Sequence, residues 1–159
     1  MKEVLSRASP PRGNMKRAMN TILFVDDNRN IREFCRRELE DEGYRVVVAS
    51  DGAEAVRLTE RLLPDLVVLD IFMPHVDGFE AAARIRAIRN DLPLILFTSY
   101  DDACVENEKS RYATACVEKS EDLTELKNVI LSALRARRQG RAYQVGLPPR
   151  ARDASVPAC

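Results

Sequence analysis

The feature that most constrains this chain is an alternation of two periodicities. Five short runs, TILFV (21–25), YRVVVA (44–49), DLVVL (65–69), PLILF (93–97) and TACVE (114–118), are rich in Val, Ile, Leu and Phe. Between them, apolar residues recur at helical spacing: Ile31, Phe34, Cys35 and Leu39, then the stretch 52–63, then Phe79, Ala82, Ala83 and Ile88, and finally Leu123, Leu126, Ile130 and Leu134. A strand that is apolar along its whole length has to be covered on both faces, which is the pattern of a parallel sheet sandwiched between helices. The fold class read from this is α/β: a five-stranded parallel sheet, (βα)5 and doubly wound, spanning residues 21–137 as one domain. Gly43, Pro64 and Pro93 punctuate the returns from helix to strand. The weakest helical pattern is DDACVENEKSRY (101–112), where apolar positions are few.

In sheets of this kind a ligand sits beyond the carboxyl ends of the strands, where the strand order reverses. The residues that end the strands therefore matter most. The first run ends in Asp26 and Asp27, the third in Asp70, the fourth in Thr98 and the fifth in Lys119. Three carboxylates on one sheet edge repel one another unless a cation is present. Mg²⁺ is the natural ion, because it takes oxygen ligands and keeps several waters. A hydroxyl and an ammonium add nothing to a metal site but suit a tetrahedral oxyanion beside it, such as a phosphoryl group. Taken singly, each residue has a plainer reading: Asp26, Asp27 or Asn28 as a helix N-cap, Asp70 in a turn, Thr98 closing a strand, Lys119 in solvent. All five together, at the ends of four strands, do not.

The 159 residues carry 25 Lys/Arg and 25 Asp/Glu. This zero net charge hides a segregation. Residues 1–20 hold five bases and one acid, residues 132–159 six bases and one acid, and the body between them 14 bases against 23 acids. The first 20 residues and residues 138–159 read as solvated basic extensions rather than folded elements. No apolar run approaches the length of a membrane span, and the N-terminus lacks the apolar core of a secretory signal. Cys35, Cys104, Cys116 and Cys159 show neither zinc-site nor disulfide-framework spacing, so free thiols in a reducing cytoplasm are expected.

The sequence resembles the response-regulator receiver domains of two-component signalling. The motifs are FVDD (24–27), LDIFMPHVDG (69–78), FTS (97–99) and VEK (117–119), with the family's order and approximate spacing over residues 21–137. The resemblance implies flavodoxin-like receiver topology and Asp70 as phosphoacceptor from a sensor histidine kinase or a histidine phosphotransfer protein. It also implies Mg²⁺ held by Asp27, Asp70 and the backbone carbonyl of Phe72, with Asp26 acting mostly through water. Thr98 and Lys119 would contact the phosphoryl oxygens. No separate output domain for binding DNA is expected, so the chain would act as a stand-alone receiver through its surface, in the cytoplasm. It would accept phosphate rather than turn over as an enzyme.

Two positions depart from the family. Cys116 stands three residues before the lysine, where an aromatic usually reports phosphorylation. Ser120 follows the lysine, where the family has a cis proline; the bond here is either trans or strained. Ser120 is expected instead to cap the last helix, with Glu121 and Asp122 in its first turn. Phe72 and Tyr100 would flank the phosphoryl group and shield it from water, and His75, the single histidine, reads as an exposed loop residue. A phosphatase of the haloacid dehalogenase type needs Asp-x-Asp after the first strand, but Asn28 stands where the second acid belongs. A flavodoxin-like cofactor loop would not be acidic. A receiver-fold interaction module that works without phosphorylation is the alternative.

Overall fold

The computed structural model describes residues 19–99 and 108–141. The basic extensions therefore fall almost wholly outside the described residues, as do Tyr100 and residues 101–107 of the weak helical pattern. Strands β1 (Thr21–Val25), β2 (Arg45–Ala49), β3 (Leu66–Leu69), β4 (Leu94–Thr98) and β5 (Ala115–Glu118) form one sheet in the order β2-β1-β3-β4-β5. Every neighbouring pair is parallel. The helices are α1 (Arg29–Asp41), α2 (Gly52–Leu62), α3 (Gly78–Ile88) and α4 (Thr124–Arg138), with a 3₁₀ turn at Glu108–Tyr112 ahead of β5. The strand positions follow the apolar runs to within a residue.

The two faces of the sheet explain why those runs are apolar throughout. Along β1, Leu23 and Val25 point to one side and Ile22 and Phe24 to the other, the period of two intrinsic to a strand. Leu23, Val25, Val67, Leu69, Leu94 and Leu96 pack with Ala55 of α2 and Ala81, Ala82 and Ile85 of α3. Ile22, Phe24, Val68, Ile95, Phe97 and Val117 pack with Cys35 and Leu39 of α1 and with Leu126, Ile130 and Leu134 of α4. Phe24 and Phe97 meet edge to face, with centroids 6.1 Å apart, a preferred aromatic geometry.

Helix starts are set by local polar chemistry. Asn28 caps α1 by accepting from the N–H groups of Asn30 and Ile31, Asp51 caps α2 and Asp77 caps α3. The last helix corrects the sequence reading. It begins at Thr124, four residues beyond Ser120, and its N-cap residue is Leu123, whose side chain makes no capping hydrogen bond. The Ser120 hydroxyl is used in a turn with the backbone of Asp122, whose carboxylate in turn receives the Thr124 N–H. The described residues contain no cis peptide, so the Lys119–Ser120 bond is trans.

Helix α2 ends on Leu63, a left-handed residue with φ 48° that is 61% exposed. Glycine is the usual residue there, because a Cβ is strained in that conformation. Leu63→Gly is therefore expected to raise unfolding free energy by about 0.5–1 kcal/mol, measured by urea denaturation; a loss of stability would show that the exposed leucine contributes packing.

Candidate functional site: an acidic cluster at the sheet edge

The strand order reverses between β1 and β3, since the chain leaves β1 to one side for β2 and returns to the other for β3. Register does the rest. Val25 lies opposite Leu69, so the next residues on the two strands, Asp26 and Asp70, emerge side by side. The Asp70 N–H donates to the Val25 carbonyl at 2.9 Å and that of Asp26 to Ala49 at 3.2 Å, which fixes both backbones. Thr98 is paired with Glu118 at the ends of β4 and β5, and the Lys119 N–H donates to the Thr98 carbonyl at 2.6 Å. Four of the strand-end residues converge: one oxygen from each of Asp26, Asp27 and Asp70 lies within 4.8 Å of the others, and the Lys119 ammonium reaches both buried acids.

Because Asn28 caps α1, the acids beside it are left for other work. Asp26 is fully buried; its Oδ1 accepts from the Asn28 N–H at 2.8 Å and its Oδ2 from Lys119 Nζ at 2.6 Å. The same Nζ lies 3.3 Å from Asp70 Oδ2 and 5.8 Å from the centroid of the Phe97 ring. Asp70 Oδ1 accepts from the Phe72 N–H at 3.3 Å. Asp27 is exposed and forms the solvent side of the cluster. Thr98 is fully buried at its strand end. Three hard oxygen donors, two of them held from below by Lys119, suit a small divalent ion of the Mg²⁺ type.

The loop after β3 holds Asp70 in place by close contact. The Gly78 N–H donates to the Ile71 carbonyl at 2.9 Å, and a Cβ on Gly78 would lie 2.1 Å from the Asp70 carbonyl oxygen. Only glycine fits there. His75 occupies the left-handed region at φ 69°, exposed in the loop as expected, in a conformation His tolerates better than most side chains. Phe72, whose N–H donates to Asp70, is 54% exposed. Tyr100, its expected companion, lies outside the described residues.

Two features had no signature in the sequence. Arg32 of α1 donates to the main-chain carbonyls of both Asp26 and Asp27. Cys116 is disulfide-bonded, which corrects the expectation of a free thiol there: linear spacing carries no information about cysteines the fold brings together. Cys35 is free and buried, and burial pushes its thiol up to about 12.

Residues 22–131 match the response regulator receiver domain family, and the chain belongs to it. A stretch of 80 residues, 50% of this chain, is 45% identical to response regulator MprA of Mycobacterium leprae, of which it covers 35%. The match thus spans about a third of that relative's length. The response regulator protein TrrA of Thermotoga maritima, solved in complex with Mg(2+)-BeF, is 39% identical with a TM-score of 0.70, over 72% of this chain and 99% of TrrA. TrrA in complex with histidine kinase ThkA gives 40% identity and a TM-score of 0.69, over 73% and 99% of the two chains. Chemotaxis protein CheY4 of Vibrio cholerae matches at 28% identity and a TM-score of 0.64, over 72% and 98%. The sheet order and helix placement are those of a CheY-like, flavodoxin-like receiver.

Asp70 is held above the ordinary carboxylate range, first by burial and then by Asp26; Lys119 and the Phe72 N–H offset this only in part. An acid whose native pKa exceeds its unfolded value favours folding while protonated. That contribution is complete below the unfolded value, near 3.8, and is lost as pH rises through the native one. In metal-free buffer at pH 7, Asp70→Asn should therefore raise the melting temperature by a few degrees, on the scale of about 1 kcal/mol. The gain should shrink as pH falls toward the unfolded value. An unchanged or lower melting temperature at pH 7 would show that Lys119 fully compensates the acid pair.

Proposed function

We propose that this receiver domain takes a phosphoryl group onto Asp70 from the phosphohistidine of a sensor histidine kinase or a histidine phosphotransfer protein. The observation that carries the reading is the Lys119 ammonium, placed between Asp26 and Asp70 at 2.6 and 3.3 Å, within a cluster of three acids. In the transfer an Asp70 carboxylate oxygen forms a bond to phosphorus as the phosphorus–nitrogen bond breaks, and the imidazole leaves with the electron pair. Phosphoryl transfer needs in-line positioning and charge neutralisation more than covalent assistance. Asp70 Oδ1 is oriented by the Phe72 N–H, and Gly78 fixes the backbone beneath it. Lys119 can turn from its carboxylates toward a phosphoryl oxygen, and Thr98 supplies a hydroxyl at the same sheet edge. Asp27, Asp70 and the Phe72 carbonyl would hold Mg²⁺, with Asp26 acting through water because both its oxygens already accept hydrogen bonds. When bound, the ion offsets negative charge on the transferring group.

Asp70 is consumed in the transfer and regenerated by hydrolysis, so the domain acts as a phosphoacceptor that assists its own reaction. The TrrA–ThkA complex supports a histidine kinase as partner, and the same reading puts the domain in the cytoplasm, where such phosphohistidines are presented. No helix among the described residues is long and apolar enough to cross a membrane. Phosphorylation would bias a two-state domain toward one downstream protein partner. Phe72, half exposed beside Asp70, would slow hydrolysis of the acyl phosphate by limiting water access. A second reading, a receiver-fold interaction module without phosphorylation, is favoured by Cys116, which stands disulfide-bonded where the family usually has an aromatic switch.

Intact mass after incubation with acetyl phosphate decides between them. The expected result is a single phosphoryl adduct that requires Mg²⁺ and is lost in Asp70→Asn. A folded chain that gains no adduct with Mg²⁺ present would favour the module.

A further inference from the structure

Of the three acids, Asp27 is the one whose carboxylate direction is not fixed by its own hydrogen bonds. Asp26 is pinned by the Asn28 N–H and Lys119, and Asp70 by the Phe72 N–H and Lys119. Asp27 is exposed, and no hydrogen bond to its carboxylate joins it to another described residue. Its direction therefore depends on the backbone.

Arg32, partly buried on the first turns of α1, donates from Nη1 to the Asp26 carbonyl at 2.8 Å and to the Asp27 carbonyl at 3.1 Å. These carbonyls belong to the two peptide planes that meet at the Asp27 Cα. Peptide planes are rigid, so holding both leaves φ and ψ of Asp27 little freedom and fixes where its Cβ points. Such a grip needs N–H donors on a stem long enough to fold back over the helix start; arginine supplies both. We infer that Arg32 is a positioning residue of the phosphorylation site, aiming the Asp27 carboxylate into the cluster by clamping the peptides on either side of it. The inference rests on the proposed Mg²⁺-dependent reading of the same site.

Charge and positioning predict opposite signs, which makes the inference testable. Arg32 is a positive charge beside a cation site, so by Coulomb's law alone its removal should tighten Mg²⁺ binding. Loss of the clamp should weaken it. Isothermal titration of Mg²⁺ into the full chain, in the absence of phosphoryl donors, is compared for the native protein, Arg32→Met and Arg32→Gln. The expected result is roughly a tenfold loss of affinity in Arg32→Met, the scale seen when partners that orient metal ligands are removed. Arg32→Gln, able to reach one carbonyl, should lose less, and it decides the matter if the methionine variant does not fold. A merely structural arginine would lower the melting temperature of the metal-free chain while leaving the Mg²⁺ affinity of the folded protein unchanged. Affinity that is equal or tighter in folded variants overturns the inference and leaves the receiver reading standing. A native chain that binds no Mg²⁺ overturns both.

Discussion

Two buried carboxylates on adjacent strand ends, bridged by one ammonium, are the constraint around which this domain is arranged. Asp26 and Asp70 cannot both be ionised in a dry site without compensation. Lys119 provides it, and it can do so only because β5 ends level with β4 and delivers its backbone to Thr98. The parallel register across β1, β3, β4 and β5 is thus more than packing. A slip of one residue would move each strand's side chains into the opposite apolar layer, against helices they are not shaped to fit, and take the acids and the lysine apart at the same time. Fold stability and site geometry share the same register.

The arrangement leaves the site poised rather than relaxed. Asp70 is kept above its ordinary range by burial and by Asp26, so anything that neutralises the cluster stabilises the native state. Under the proposed function a divalent cation and a phosphoryl group would do this in complementary ways, one against the carboxylates and the other against Lys119. The exposed side of the cluster is Asp27, whose orientation comes from the main chain and Arg32, and from Asn28 in so far as it takes up the capping role. The loop on the other side is held by Gly78 pressed against Asp70.

Much of this was legible in the sequence because two physical signals were strong. Strands buried on both faces leave unbroken apolar runs, and Ile22 to Val25, Leu66 to Leu69 and Leu94 to Phe97 show them clearly. A polar residue that ends such a run, like Asp70, stands out against its neighbours. What escaped notice lacks a linear signature. Ser120 followed by two acids looks like a helix start, yet its hydroxyl closes a local turn and the helix begins later. Leu63 adopts a conformation that its residue type argues against. Cys116 is disulfide-bonded, which its position in the sequence does not disclose, and Arg32 acts on backbone carbonyls, which every residue possesses.

The central claim, that Lys119 balances the buried acids, is tested most directly by a double-mutant cycle of Lys119→Met and Asp26→Asn, read by urea denaturation in metal-free buffer. Asn at position 26 keeps an oxygen for the Asn28 N–H while removing the charge. The account predicts that Lys119→Met is strongly destabilising in the native background and much less so beside Asp26→Asn, with a coupling on the order of 1–3 kcal/mol. Additivity to within about 0.5 kcal/mol would mean the two side chains are energetically independent, and the ion pair would then be a contact without a role in holding the site together.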